Sequence, residues 1–170
     1  MRIAALSSLF TAFGLFVSSG QVLALEVGDA APCVVLENVQ PDGTSGDECI
    51  RVRDEGQKFT AIEFFSITCS DCARNYPIIE ALSGEIEATT KIRFVSVDRS
   101  RNAILAFRAN HPSIRNFTIA LDTQRDARTA YGVVATPTLF ILDANDVVVF
   151  KHQGVLTAID VQTIKNLVAE

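Results

Sequence analysis

The stretch SITCSDCARNYP, residues 66–77, sets Cys69 and Cys72 in a CxxC pair, with Pro77 five residues after the second cysteine. Such a pair serves as half of a metal clamp, as a structural staple, or as a dithiol that exchanges electrons. A structural zinc site needs four ligands, usually in two close pairs. Here Cys33 and Cys49 are separated by fifteen residues, and His111 and His152 stand alone, so no metal is expected. Covalent haem needs CxxCH, and Ala73 follows Cys72. A staple across so short a loop removes little chain entropy and adds little at a junction whose backbone is already set.

The dithiol reading fits the position. An apolar run, FTAIEFFSI, precedes Cys69, and a helical pattern begins at Cys72. A helix N-terminus carries unpaired N–H groups and partial positive charge, which stabilises a thiolate and raises its reactivity. Cys69 is then the attacking thiol and Cys72, one turn later, the resolving thiol. Glu63 interrupts the apolar run six residues before Cys69. Inside the protein such an acid has a raised pKa and can take the Cys72 proton during resolution. On a strand edge it is a solvated carboxylate with no such role.

The elements that must position these groups are legible in outline. CVVLENV and ECIRVR flank the turn-rich QPDGTSGD and read as a hairpin, Cys33 to Arg53, appended to the main domain. Phe59 to Ile67 is almost continuously apolar, as in a central strand covered on both faces. A helix follows from Cys72 to about Ala88, with Ile78, Ile79, Leu82 and Ile86 on its apolar side. KIRFVSVD, FTIALD, TLFILD and VVVFKHQG read as further strands, the last two joined around ANDV. SRNAILAFRAN, capped by Ser100, and TQRDARTAYGV, closed by Gly132, read as helices. A last helix starts at Thr157 and is expected to bury Ile159, Ile164, Leu167 and Val168. Strands alternating with helices imply an α/β fold, a mixed sheet with helices on both faces.

Of 170 residues, 48% are hydrophobic and 21% charged, as in one ordinary globular domain. The formal charge of -5, with no basic stripe, argues against a nucleic-acid partner. Arg2, an apolar core and Val22 to Ala24 have the form of a secretory signal peptide cut after Ala24. The strongly apolar part, Leu9 to Val17, falls short of the ~20 residues that span a bilayer. Export to the periplasm or another extracytoplasmic space allows disulfides. Cys33 and Cys49 are a candidate structural disulfide, worth roughly 3 kcal/mol in the chain-entropy model. The alternative is two buried thiols acting as small hydrophobes.

FFSITCSDC, Pro77 and VVATPTLFILD together resemble the thioredoxin fold, and more narrowly the exported thiol–disulfide oxidoreductases of the TlpA and ResA type. The resemblance covers residues 59–170, the thioredoxin-like domain. Residues 25–58 match the N-terminal extension of such proteins, after a signal peptide at 1–24. It implies that Pro137 is cis beside the cysteine pair and that Thr136 offers its backbone to a substrate strand. Read without the resemblance, Pro137 is an ordinary loop proline. It further implies an enzyme without a cofactor, acting as a monomer on protein disulfides and fed by a membrane thiol electron donor. The tryptophans common near the first cysteine are replaced by Phe65 and Thr68, and Ser70 and Asp71 fill the motif. A redox-inert binding module that keeps the disulfides, or a peroxiredoxin-like peroxidase, are the alternatives. The peroxidase reading lacks its proline, since Ile62 occupies that place.

The dipeptide bears on the direction of electron flow. Asp71 sets a negative charge within one turn of Cys69, which opposes the helix dipole and shifts the couple by roughly 20 mV toward the reducing side. That is only a nudge; with the helix term, the resemblance implies a potential nearer roughly -270 mV than -120 mV, that of a reductant or isomerase-type thiol donor.

Overall fold

The computed structural model describes residues 24–169. Strands β1 (Val35–Val39) and β2 (Ser45–Cys49) form the expected hairpin. They are followed by β3 (Phe59–Phe65), α1 (Ser70–Ile86), β4 (Thr90–Ser96) and α2 (Arg101–Ala109). Next come α3 (Pro112–Arg115), β5 (Thr118–Leu121) and α4 (Asp126–Ala130). The chain closes with β6 (Thr138–Leu142), β7 (Val148–Gln153) and α5 (Ala158–Val168). The strands form one mixed sheet in the order β2-β1-β5-β4-β3-β6-β7. β3, β4 and β5 run parallel, and β6 and β7 add antiparallel.

Local chemistry explains the boundaries. Ser100 caps α2 by accepting from the Ala103 N–H at 3.3 Å. Thr157 and Asp160 form a reciprocal capping box at the start of α5. Pro112, at the first position of α3, opens a short helix just beyond SRNAILAFRAN, a segment the sequence analysis did not assign; its missing N–H is no loss there. Asp146, with φ 61°, turns the chain between β6 and β7.

The hairpin is more than an appendage. β1 pairs antiparallel with β5 through Glu37↔Leu121, Asn38↔Ala120 and Val39↔Ile119, so it extends the central sheet. Without it β5, a parallel strand buried at all four residues, would be a bare edge. Cys33 and Cys49 are disulfide-bonded across the hairpin base, with Cα atoms 5.4 Å apart. Beneath Cys49 lies the buried Arg93 guanidinium, which donates to the Cys49 carbonyl at 2.9 Å and pairs with Glu48 at 2.7 Å.

The sheet separates two cores. On one side α1, α2, α3 and α5 cover Ala61, Phe65, Phe94, Ile119, Leu139 and Ile141. On the other, α4 and the chain before β1 cover Ile62, Phe64, Val95, Phe140 and Leu142. Alternation along β3 therefore turns Glu63 toward α1, with Ala61 and Phe65. Glu63 is fully buried, which removes the solvated-edge alternative. Ile159 corrects the expectation for α5: it is 78% exposed. Ile164 and Val168 define the buried stripe, and Ile159 lies five residues before Ile164, well round the helix from it. Of the proposed leader, residues 1–24, all but Ala24 lie outside the described residues. Among the described residues no helix is long and apolar enough to cross a membrane.

Candidate active site

Cys69 is the N-cap of α1, with φ -87° and ψ 112°. The chain reaches it from β3 through a loop that Asp98 braces. The Asp98 carboxylate accepts from Ser66 Oγ at 2.9 Å, from the Ile67 N–H at 2.8 Å and from Ser96 Oγ at 2.9 Å. Because Asp98 follows the neighbouring parallel strand β4, this anchor ties the loop to the sheet.

Cys69 and Cys72 are disulfide-bonded, with Cα atoms 5.3 Å apart. The Cys72 N–H points at Cys69 Sγ at 3.1 Å. Cys72 is wholly buried, whereas Cys69 is only partly covered. One sulfur faces outward at the helix N-terminus and the other faces the core. On reduction, the same N–H and the helix dipole stand ready to stabilise a thiolate at Cys69.

The loop before β6 closes the other side. The Thr136–Pro137 peptide is cis, and the Thr136 carbonyl oxygen lies 3.4 Å from Cys69 Sγ. Val134, in the same loop, is 76% exposed. The resemblance had associated Thr136 and Pro137 with the cysteines, and the fold brings these groups together.

Glu63 lies beneath α1, bonded to Asn75. Burial pushes its carboxyl up to about 8, and a hydrogen bond from Asn75 offsets part of that rise. Asn75 Nδ2 donates to Glu63 Oε1 at 3.0 Å. Glu63 Oε2 has no protein partner. Burial, with a smaller contribution from Glu63, raises the Tyr76 phenol as well. Asn75 is one turn beyond Cys72, so the acid and Cys72 share the covered face of α1.

Three residues escaped the sequence reading. Arg74 donates to Asp71 Oδ1 at 2.6 Å on the exposed side of α1. Asp98 braces the cysteine loop. Asn75 is a polar residue in the otherwise apolar stripe of Cys72, Tyr76, Ile79 and Leu82, and that break in the pattern was the available signal. Among the described residues no cluster of three or more His, Cys, Asp or Glu side chains is placed to hold a metal. His111 stacks on Phe107 at 3.6 Å, and His152 faces Asp160 at 3.3 Å.

Comparison with known proteins places this geometry in context. The sequence matches the AhpC/TSA family model over residues 27–151. It is 28% identical over 142 residues to the thiol-disulfide oxidoreductase ResA of Bacillus subtilis, covering 83% of this chain and 75% of that protein. The fold is similar to the thioredoxin domain of a thiol-disulfide oxidoreductase, BVU-2223, of Bacteroides vulgatus, with TM-score 0.69 and 21% identity over 85% of this chain and 99% of that one. It is also similar to a reduced 2-Cys peroxiredoxin of Plasmodium vivax, with TM-score 0.67 and 18% identity over 84% and 96% of the two chains.

Proposed function

The chain belongs to the AhpC/TSA family, and from that premise we propose that it is an extracytoplasmic thiol–disulfide oxidoreductase that reduces protein disulfides through Cys69 and Cys72. One observation carries the reading: a partly exposed sulfur caps the helix N-terminus while its partner, one turn later, is wholly buried. ResA, a thiol-disulfide oxidoreductase by name, supports the same chemistry.

In the forward direction the Cys69 thiolate attacks one sulfur of the substrate disulfide. That S–S bond breaks, and its other sulfur leaves as a thiolate and takes a proton. Cys69 is now in a mixed disulfide, which the Thr136 backbone beside it orients. Glu63, as carboxylate, accepts the Cys72 proton. The Cys72 thiolate attacks Cys69 Sγ, and the second substrate sulfur departs. Two electrons have passed to the substrate, and the enzyme is left with the Cys69–Cys72 disulfide. A carboxyl raised to about 8 suits this transfer, because its basicity approaches that of a thiol near 8.5. A membrane thiol carrier on the same side of the membrane would restore the dithiol.

Insulin reduction under a dithiol reductant tests the proposal. Wild-type protein should accelerate precipitation of the free insulin chain, and Cys69→Ser should abolish the effect. The Plasmodium peroxiredoxin likeness favours a second reading, peroxide reduction at Cys69. Peroxide consumption coupled to the same reductant, without insulin reduction, would establish that reading instead. Inactivity in both assays would leave a binding module. Sequencing of protein recovered from the extracytoplasmic fraction should start at or near Leu25. An intact Met1 in the membrane pellet would mean a retained anchor instead of a cleaved leader.

A further inference from the structure

The buried face of the site contains one side chain that joins β3, α1 and the chain after β7. Asn75 projects from α1 and is almost wholly buried. Its Nδ2 donates to Glu63 Oε1 on β3 at 3.0 Å and to the Gly154 carbonyl at 3.2 Å. Its Oδ1 accepts from the Leu156 N–H at 2.8 Å. Gly154 in turn donates its own N–H to the Pro137 carbonyl at 2.9 Å. A continuous path of hydrogen bonds thus runs from the Glu63 carboxyl through Asn75 and Gly154 to the cis-proline loop, whose Thr136 oxygen lies against Cys69 Sγ. The amide is satisfied on both of its ends, so it has little freedom to rotate.

We propose that Asn75 is a positioning residue that holds Glu63 in place for proton transfer and couples the charge on that carboxyl to the cis-proline loop. The reasoning rests on the dithiol mechanism proposed above. An amide N–H strengthens its bond when its acceptor becomes a carboxylate. Ionisation of Glu63 therefore draws Asn75 Nδ2 toward Oε1 and weakens its share in the bond to the Gly154 carbonyl. Gly154, held at its carbonyl by Asn75 and at its N–H by Pro137, passes the resulting shift to the cis-proline loop. When the proton arrives, the balance reverses. Asn75 thereby links two events that must alternate: proton acceptance at Glu63 and substrate contact at the cis-proline loop.

The groups around Glu63 are compatible with this role. Its register partners on the neighbouring strands are Phe94 and Leu139, neither of which titrates. From α1 it faces Tyr76, whose phenol is raised and stays neutral, and the resolving Cys72 lies one turn before Asn75. Asn75 donates to the Glu63 carboxyl, and that bond opposes the rise that burial causes.

Reaction of the reduced protein with an aromatic disulfide that releases a coloured thiol separates the two steps. The first release reports attack by Cys69, the second reports resolution by Cys72. Asn75→Ala should shift the pH midpoint of the second phase upward by about one unit, the size of one hydrogen bond to a charged group. The first phase should keep its pH profile. Asn75→Ser, too short to bridge, serves the same purpose if the alanine variant does not fold. Unchanged second-phase profiles in a folded variant, or equal shifts in both phases, would overturn the proposal. Glu63→Gln distinguishes the parent reading: if its second phase keeps the wild-type profile, the proton role of Glu63 fails whatever Asn75 does. In unmutated protein, the Asn75 side-chain amide and the Gly154 amide should titrate by NMR with the Glu63 midpoint. An Asn75 amide that stays flat through that titration refutes the coupling.

Discussion

Arg74 reaches back to Asp71, 2.6 Å from guanidinium to carboxylate, across one turn of α1 beside the outward sulfur. Both side chains are largely exposed, so the pair adds little to stability. It changes the electrostatics of the site, however. The sequence reading treated Asp71 as an uncompensated negative charge pushing the couple toward the reducing side. The structure sets a positive charge against it, so much of that push is cancelled.

Opposite shifts in the two single variants are the expected consequence. Asp71→Asn leaves Arg74 unopposed and should make the Cys69–Cys72 couple more oxidising. Arg74→Ala leaves Asp71 unopposed and should make it more reducing. Each shift should be about 20 mV or less, and the double variant should return near wild type. Equilibration with glutathione or a dithiol buffer reads all three. Shifts of the same sign in both singles would show that the pair does not act through charge.

The unequal exposure of the two sulfurs leads to a trapping experiment. Cys72→Ser retains the outward thiol and removes its resolver, so mixed disulfides with substrate proteins should accumulate on non-reducing gels. Cys69→Ser leaves only a buried thiol and should trap none. The reverse pattern would exchange the roles.

Burial of Glu63 predicts a pH dependence of stability with a definite sign. Its carboxyl rises from 4.5 to about 8 on folding, so between those values the native state holds a proton that the unfolded chain has lost. The stability associated with the neutral acid is full below 4.5 and is lost as pH rises toward about 8. The loss approaches about 1.4 kcal/mol per pH unit within that window. Glu63→Gln, which mimics the neutral acid, should escape it. Urea unfolding of the oxidised proteins from pH 5 to 8 should show the two stability curves diverging as pH rises. Parallel curves would mean that the native carboxyl ionises as readily as the unfolded one.

The Cys33–Cys49 bridge should matter for stability rather than turnover. Its sequence separation is 16, a loop for which the chain-entropy model gives about 3 kcal/mol. Replacing both cysteines by alanine should lower unfolding free energy by roughly that amount and leave insulin reduction unchanged. Peptide mapping of native, air-oxidised protein provides the control, since alkylation of both thiols would show that no bridge forms in solution.

How much of this was legible beforehand follows from the range of each interaction. Local patterns carried the cysteine pair at a strand-to-helix junction, the Ser100 and Thr157 caps, the β1–β2 hairpin and the alternation of strands and helices. Each depends on residues a few positions apart, so composition and period suffice to find it. Period two also separated Glu63 from Ile62 and Phe64, but it could not say which face of β3 would be covered. That was decided when α1 packed over the side carrying Ala61, Glu63 and Phe65. The fate of Ile159 was decided likewise: the sheet and α1 take only one stripe of α5, and apolar character alone does not choose it. The remaining features join distant parts of the chain. Thr136 meets Cys69 across 67 positions, Asn75 meets Leu156 across 81, and β1 finds β5 rather than standing apart. None of these pairings has a local signature, because each arises only after the crossovers order the strands. The sequence by itself determined that a dithiol would stand at a helix entrance. The tertiary structure decided which acid lies beneath that helix, which carbonyl faces the dithiol and which amide connects the two, because buried polar groups must find their partners wherever the sheet brings them.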